Sequence, residues 1–204
     1  MTETSWAPAK RRGRPPSSDS AATRERILQA AQKVFAESGY EAATFQAVAV
    51  EVGLTRPAIN NYFHSKSDLY AAVVRRVGDA VLDAIHIASE ASTLAGQVLT
   101  FIRLAGRDGG ADPSLARFLV QSAIDVEHLP HGQGEAAALI ERFIRAAVGA
   151  AVHRGEINQV PEGLTDLLMG LVLGMAYQQG RSDDAGTDRM LDQLRVVLED
   201  GLTA

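Results

Sequence analysis

Thr44-Phe45-Gln46-Ala47-Val48-Ala49-Val50-Glu51-Val52-Gly53-Leu54-Thr55-Arg56-Pro57-Ala58-Ile59-Asn60-Asn61-Tyr62-Phe63 decides how this chain folds. Thr44 is a helix N-cap, and Phe45, Val48, Ala49 and Val52 recur at the spacing of one apolar helical face. Gly53 ends that short helix and supplies a turn residue free to take positive φ. Thr55 then caps another helix from Arg56 to about Tyr62, with Pro57 in its first turn, where a missing N–H costs little. Two short helices about a glycine turn make a helix-turn-helix. Ile59 and Phe63 anchor the second helix, and Arg56, Asn60, Asn61 and Tyr62 form its polar side. Arginine pairs with guanine, and asparagine with adenine, through two hydrogen bonds each.

The flanking sequence extends the pattern. A first helix begins near Asp19 or Ser20, places Ile27, Leu28, Ala31, Val34 and Phe35 on one face, and stops at Gly39. Ser65 caps a fourth helix from Lys66 to about Ser89. Beyond it the spacing predicts helices over Thr93–Gly106, Asp112 to Val126, Glu135–Arg154 with Gly155 as the stop, Pro161 to Gly180, and Asp184–Asp200. No strand alternation, internal repeat or coiled-coil heptad is legible. The fold class is therefore all-α, with about nine helices.

Order and spacing narrow the reading further. Thr23 to Ala31, Val34-Phe35-Ala36-Glu37-Ser38-Gly39-Tyr40, Thr44, Gly53-Leu54-Thr55 and Tyr62-Phe63-His64-Ser65-Lys66-Ser67-Asp68-Leu69 together resemble the N-terminal domain of the TetR family of regulators, across about residues 20–75. The resemblance implies a DNA-binding domain over residues 19–66 and an effector-binding and dimerisation domain over 67–204. It places Thr44 and Gln46 on the second helix against DNA. It puts Thr55, Arg56, Pro57, Ala58, Asn60 and Asn61 on the recognition helix, and Tyr62 and Lys66 at phosphates. Tyrosine often stands in the family where this chain has Asn60, so a relative's operator sequence does not transfer.

Charge distribution agrees. The net charge is −5, but residues 1–76 hold 11 Lys/Arg against 7 Asp/Glu, and residues 77–204 hold 9 against 18. A basic module is thus joined to an acidic one. Residues 1–18 have too little apolar surface to order themselves, and they contain Lys10-Arg11-Arg12-Gly13-Arg14-Pro15. This stretch reads either as a solubilising tail or as a basic arm that lays Arg12 and Arg14 along phosphates or a groove.

In the C-terminal half the eighth helix is apolar on more than one stripe, so it needs two partners. By resemblance the second partner is another subunit, with Leu164, Leu167, Leu168, Leu171 and Met175 joined by Leu191, Leu194, Val197 and Leu198 of the ninth helix as a four-helix interface. Gly170 and Gly174 allow close approach. Phe101, Phe118, Gln121, Phe143 and Tyr177 are the candidates for a pocket among helices four to eight.

Other chemistry finds less support. The chain has no cysteine, which excludes disulfides and thiolate metal sites. It has no secretory signal and no long apolar run, so the expectation is a cytoplasmic protein with no membrane partner. Gly132-x-Gly134-x-x-Ala137 lacks the strand that a dinucleotide fingerprint requires. Glu127, His128 and His131 read as a solvated loop rather than a metal site, and no catalytic triad is legible. The expected protein is a homodimeric, non-enzymatic regulator with no cofactor or metal. It binds a palindromic double-stranded operator and is released by a small apolar or amphipathic effector. A regulator without an effector is the alternative.

Overall fold

The computed structural model of the protein describes residues 17–106, 114–125, 135–158, 160–179 and 184–201. Among them run nine helices and no strand. They are α1 (Ser17–Ala42), α2 (Phe45–Val52), α3 (Arg56–Asn60), α4 (Lys66–Ala88), α5 (Leu94–Ala105), α6 (Ser114–Ile124), α7 (Glu135–Arg154), α8 (Leu164–Gln179) and α9 (Asp184–Gly201). No helix among the described residues is long and apolar enough to cross a membrane. Arg12 and Arg14, the Asp112-Pro113 cap, the Glu127 to Gly134 loop and Gly180 lie outside the described residues.

The expected caps of α2, α3 and α4 form, and Thr93 adds one on α5. The hydroxyls of Thr44, Thr55, Ser65 and Thr93 accept from the backbone N–H groups of Ala47, Ala58, Asp68 and Gly96 at 3.1, 3.4, 3.0 and 3.0 Å. Each satisfies a donor that the first helical turn leaves unpaired. Gly53 takes φ 70°, ψ 35°, and the turn is closed by Leu54 N–H donating to the Ala49 carbonyl at 2.9 Å.

Boundaries differ from the expected ones where a turn intervenes. Gly39 breaks α1 at φ 73°, ψ 171°, but one more helical turn follows it to Ala42. The α8 helix begins at Leu164 rather than Pro161, because Leu164 N–H first closes a turn onto the Pro161 carbonyl at 3.1 Å. The α6 helix runs to Ile124, and the expected end near Val126 lies outside the described residues.

Two aromatic groups organise the core. Phe35 and Tyr40 of α1 meet Tyr70 of α4 edge to face, both with ring centroids 4.9 Å away, and Phe118 of α6 lies 5.6 Å from Tyr70. Such pairs each contribute about 0.5–1.5 kcal/mol beyond area burial. Burial, reinforced by Asp125 and Tyr40, pushes the Tyr70 phenol above its ordinary range, so it stays neutral. Phe101 of α5 and Phe143 of α7, 5.3 Å apart, centre the other group, with Leu94, Ile140, Ile144, Leu168 and Leu191 buried around the same helices. Tight ties hold α2 to α1: Arg26 donates to the Val52 carbonyl at 3.1 Å, and Lys33 pairs with Glu51 at 2.8 Å.

Gly39 occupies a backbone region that is essentially glycine-only, and a Cβ there would come within 3.1 Å of Asp125 Oδ2 and 3.2 Å of Gln121 Nε2. We expect Gly39→Ala to lower unfolding free energy by about 1–3 kcal/mol in a urea titration. An unchanged midpoint would mean that the α1 break carries no constraint.

Candidate nucleic-acid interface

A five-residue helix has one full turn and cannot stand alone in water. Here α3 is held by its Thr55 cap and by Ile59, which is fully buried, with Phe63 buried just beyond it. Tyr62 and Phe63 N–H groups both donate back to the Ile59 carbonyl, at 2.9 and 3.0 Å, which rounds off the helix end. Anchoring one side in the core forces the opposite side outward. Thr55, Arg56, Pro57, Asn60 and Asn61 are exposed, and Ala58 and Tyr62 are half-buried. On α2 and its cap, Gln46 and Thr44 are exposed as well.

Four of the candidates converge. A groove of about 560 Å³ is lined by Thr44 and Phe45 from the start of α2, Arg56 and Asn60 from α3, and Ser65 and Lys66 from the start of α4, together with Glu41, Ala43 and His64. Gln46, Thr55, Pro57, Ala58, Asn61 and Tyr62 sit outside that groove, on α2 and α3 or at the ends of α3. Hydroxyl, guanidinium, amide and ammonium groups side by side form a surface of donors suited to phosphate and base edges.

Lys66 has a second task that its sequence position does not disclose. Its ammonium donates to the main-chain carbonyls of Tyr40 and Glu41, both at 2.9 Å, and lies 4.6 Å from the Tyr40 ring centroid. Two of its three N–H donors therefore close the end of α1, in the manner of a cation at a helix C-terminus. His64 is the neighbour that sequence spacing alone did not bring to the site. It follows Asn60 by one helical turn in number but leaves the helix, and only the fold returns it to the groove.

The pocket candidates have the following surroundings. Phe101 and Phe143 pack against each other, Phe118 belongs to the Tyr70 group, and Gln121 donates to Asp125 at 3.0 Å. Tyr177 is 48% exposed, on an outer side of α8. Among the described residues no group of three or more His, Asp or Glu is placed to hold a metal.

The interface candidates divide in two. Leu164, Leu168, Leu191, Leu194 and Leu198 are buried within this chain. Leu167 is 66% exposed, and Leu171 and Met175 are half-buried. The expected Val197 is 64% exposed on α9, and beside it is Val196, 52% exposed, which sequence reasoning missed. Periodicity shows that α9 has an apolar stripe but does not say which leucines its own core takes.

Comparison with known proteins places this geometry. Residues 27–73, from the middle of α1 into α4, match the family model described as bacterial regulatory proteins, tetR family. Over 70 residues the chain is 34% identical to the transcriptional activator FasR of Mycolicibacterium smegmatis, a match covering 34% of this chain and 32% of that protein. In this and the next curated relatives the match spans only 27% to 32% of their own length. The fold extends further. A TetR-family transcriptional regulator from Agrobacterium tumefaciens superposes with a TM-score of 0.72 at 18% identity, covering 90% of this chain and 99% of that one. A gamma-butyrolactone receptor gives 0.64 at 18% identity, covering 91% and 100%. The family model is thus matched across the helix-turn-helix, residues 27–73, and along nine-tenths of its length this chain shares the fold of solved TetR-family regulators.

Proposed function

We propose that the protein is a sequence-specific DNA-binding transcriptional regulator, acting in the cytoplasm as a homodimer on a palindromic operator. The observation that carries this reading is the convergence of Thr44, Arg56, Asn60 and Lys66 from three helices on one open groove. In this arrangement α3 enters the major groove, its N-terminal residues meet base edges, and the ends of α2 and α4 lie on phosphates. Residues 19–66 act as the DNA-binding domain and 67–204 carry dimerisation and effector binding. Binding and release, rather than catalysis, are the work this surface suits.

The dimer reading is supported by the outer side of α8 and α9. Leu167, Leu171 and Tyr177 share that side of α8 with Gly170 and Gly174, beyond which a Cβ would meet nothing within 4 Å. Val196 and Val197 are exposed apolar side chains on α9 as well. A second copy covering this surface removes it from water and sets the two α3 helices about 34–36 Å apart, one DNA turn.

Repression is the output favoured, because a dimer seated on a promoter blocks polymerase by occupancy alone. Release by a small apolar or amphipathic effector is supported by the fold shared with a gamma-butyrolactone receptor. A regulator without an effector is favoured by one observation: Phe101 and Phe143 fill the space between α5 and α7 by packing on each other.

Selection of random duplexes by the purified protein should enrich a palindrome whose affinity falls steeply with salt. Arg56→Ala and Asn60→Ala should each weaken it by roughly 5- to 150-fold and relax preference at one base pair per half-site. No enrichment, or variants that bind like the wild type, would overturn the assignment. In sedimentation equilibrium Leu167→Glu should shift the dimer to monomer with helicity retained; an undisturbed dimer would place the subunit contact elsewhere.

A further inference from the structure

Gln32 lies in the middle of α1 and is 1% exposed. Burying an amide without partners is costly, and this one has partners at both ends. Its Nε2 donates to Ser114 Oγ of α6 at 2.8 Å, and its Oε1 accepts from Arg76 Nη1 of α4 at 2.5 Å. Arg76 Nε reaches on to Glu25 of α1 at 2.5 Å. Helices far apart in sequence therefore meet at one side chain. Ser114 is the first residue of α6, and Asp125, just past its last, accepts from Tyr40 N–H at 3.0 Å. Thus α6 is tied to α1 at both of its ends.

Such ties admit few arrangements. Sliding α6 along α1 does not stretch the Gln32–Ser114 bond gradually; it breaks it and leaves a buried amide N–H unsatisfied. The ties of Arg26 and Lys33 make α2 follow α1. The seam thus orients the helix-turn-helix against the helices that carry the Leu167 surface.

We propose that Gln32, with Ser114 and Asp125, is a positioning residue that sets the separation of the two recognition helices and hence the half-site spacing the protein accepts. This rests on the dimeric DNA-binding reading above. The test compares wild type, Gln32→Leu and Ser114→Ala on the selected palindrome and on duplexes with one base pair added to or removed from its centre. Both variants should keep their affinity for a single half-site but lose roughly fivefold of the preference for the selected spacing, the equivalent of one hydrogen bond. Unchanged spacing preference, or equal weakening on every duplex, overturns the proposal. Should Gln32→Leu fail to fold, Ser114→Ala decides.

A second measurement needs no operator. The chain has no cysteine, so dyes can be placed at Val50→Cys, 71% exposed on α2, and at Arg142→Cys, exposed on α7. Single-molecule energy transfer should give a narrow distribution in the wild-type background and a broadened one with Ser114→Ala at unchanged helicity. An equally narrow distribution overturns the proposal. If the wild type selects no duplex, the DNA-binding reading fails while this measurement still judges the seam.

Discussion

Everything proposed for this protein depends on holding a single turn of helix in a fixed pose. With only Arg56 to Asn60 in helical conformation, α3 has almost no stability of its own. The pose comes from outside it. Gly53 turns the chain, Thr55 caps the start, and Ile59 and Phe63 are driven into the core by their removal from water. Once those anchors are set, the direction of Arg56 and Asn60 follows without further choice. Rigidity here is functional, since base recognition tolerates little misplacement.

The N-terminal site was legible in the sequence because its determinants are local. Thr44, Thr55 and Ser65 act on amides three residues ahead, and Gly53 acts on its own φ. Spacing alone reveals such features. What stayed hidden depends on contacts between distant segments. The bonds from Lys66 to Tyr40 and Glu41 span 26 and 25 residues, and the bond from Gln32 to Ser114 spans 82. No local pattern marks them. The leucines of α8 and α9 show the same limit from another side. A stripe with period near 3.6 says that a face is apolar, not whether this chain or another copy covers it.

Placement of α1 ties these layers together. Its inner side builds the core with Ile27, Ala31 and Phe35, its middle meets α4 and α6 through Gln32, and its end is closed by Lys66 and Asp125. One helix therefore belongs to both the DNA-facing unit and the bundle behind it. Hydrogen bonds run from α6 to α1 through Ser114 and Asp125, and from the end of α1 to Lys66 at the groove.

The central claim is that two α3 helices read successive turns of one face of DNA, and hydroxyl-radical footprinting of the protein on its selected duplex tests it most directly. Two protected patches related by a two-fold axis are expected, centred about 10 base pairs apart on the same side of the helix, and both lost in an Arg56→Ala protein. A single patch, or two patches at a separation that puts them on opposite sides of the duplex, would contradict it.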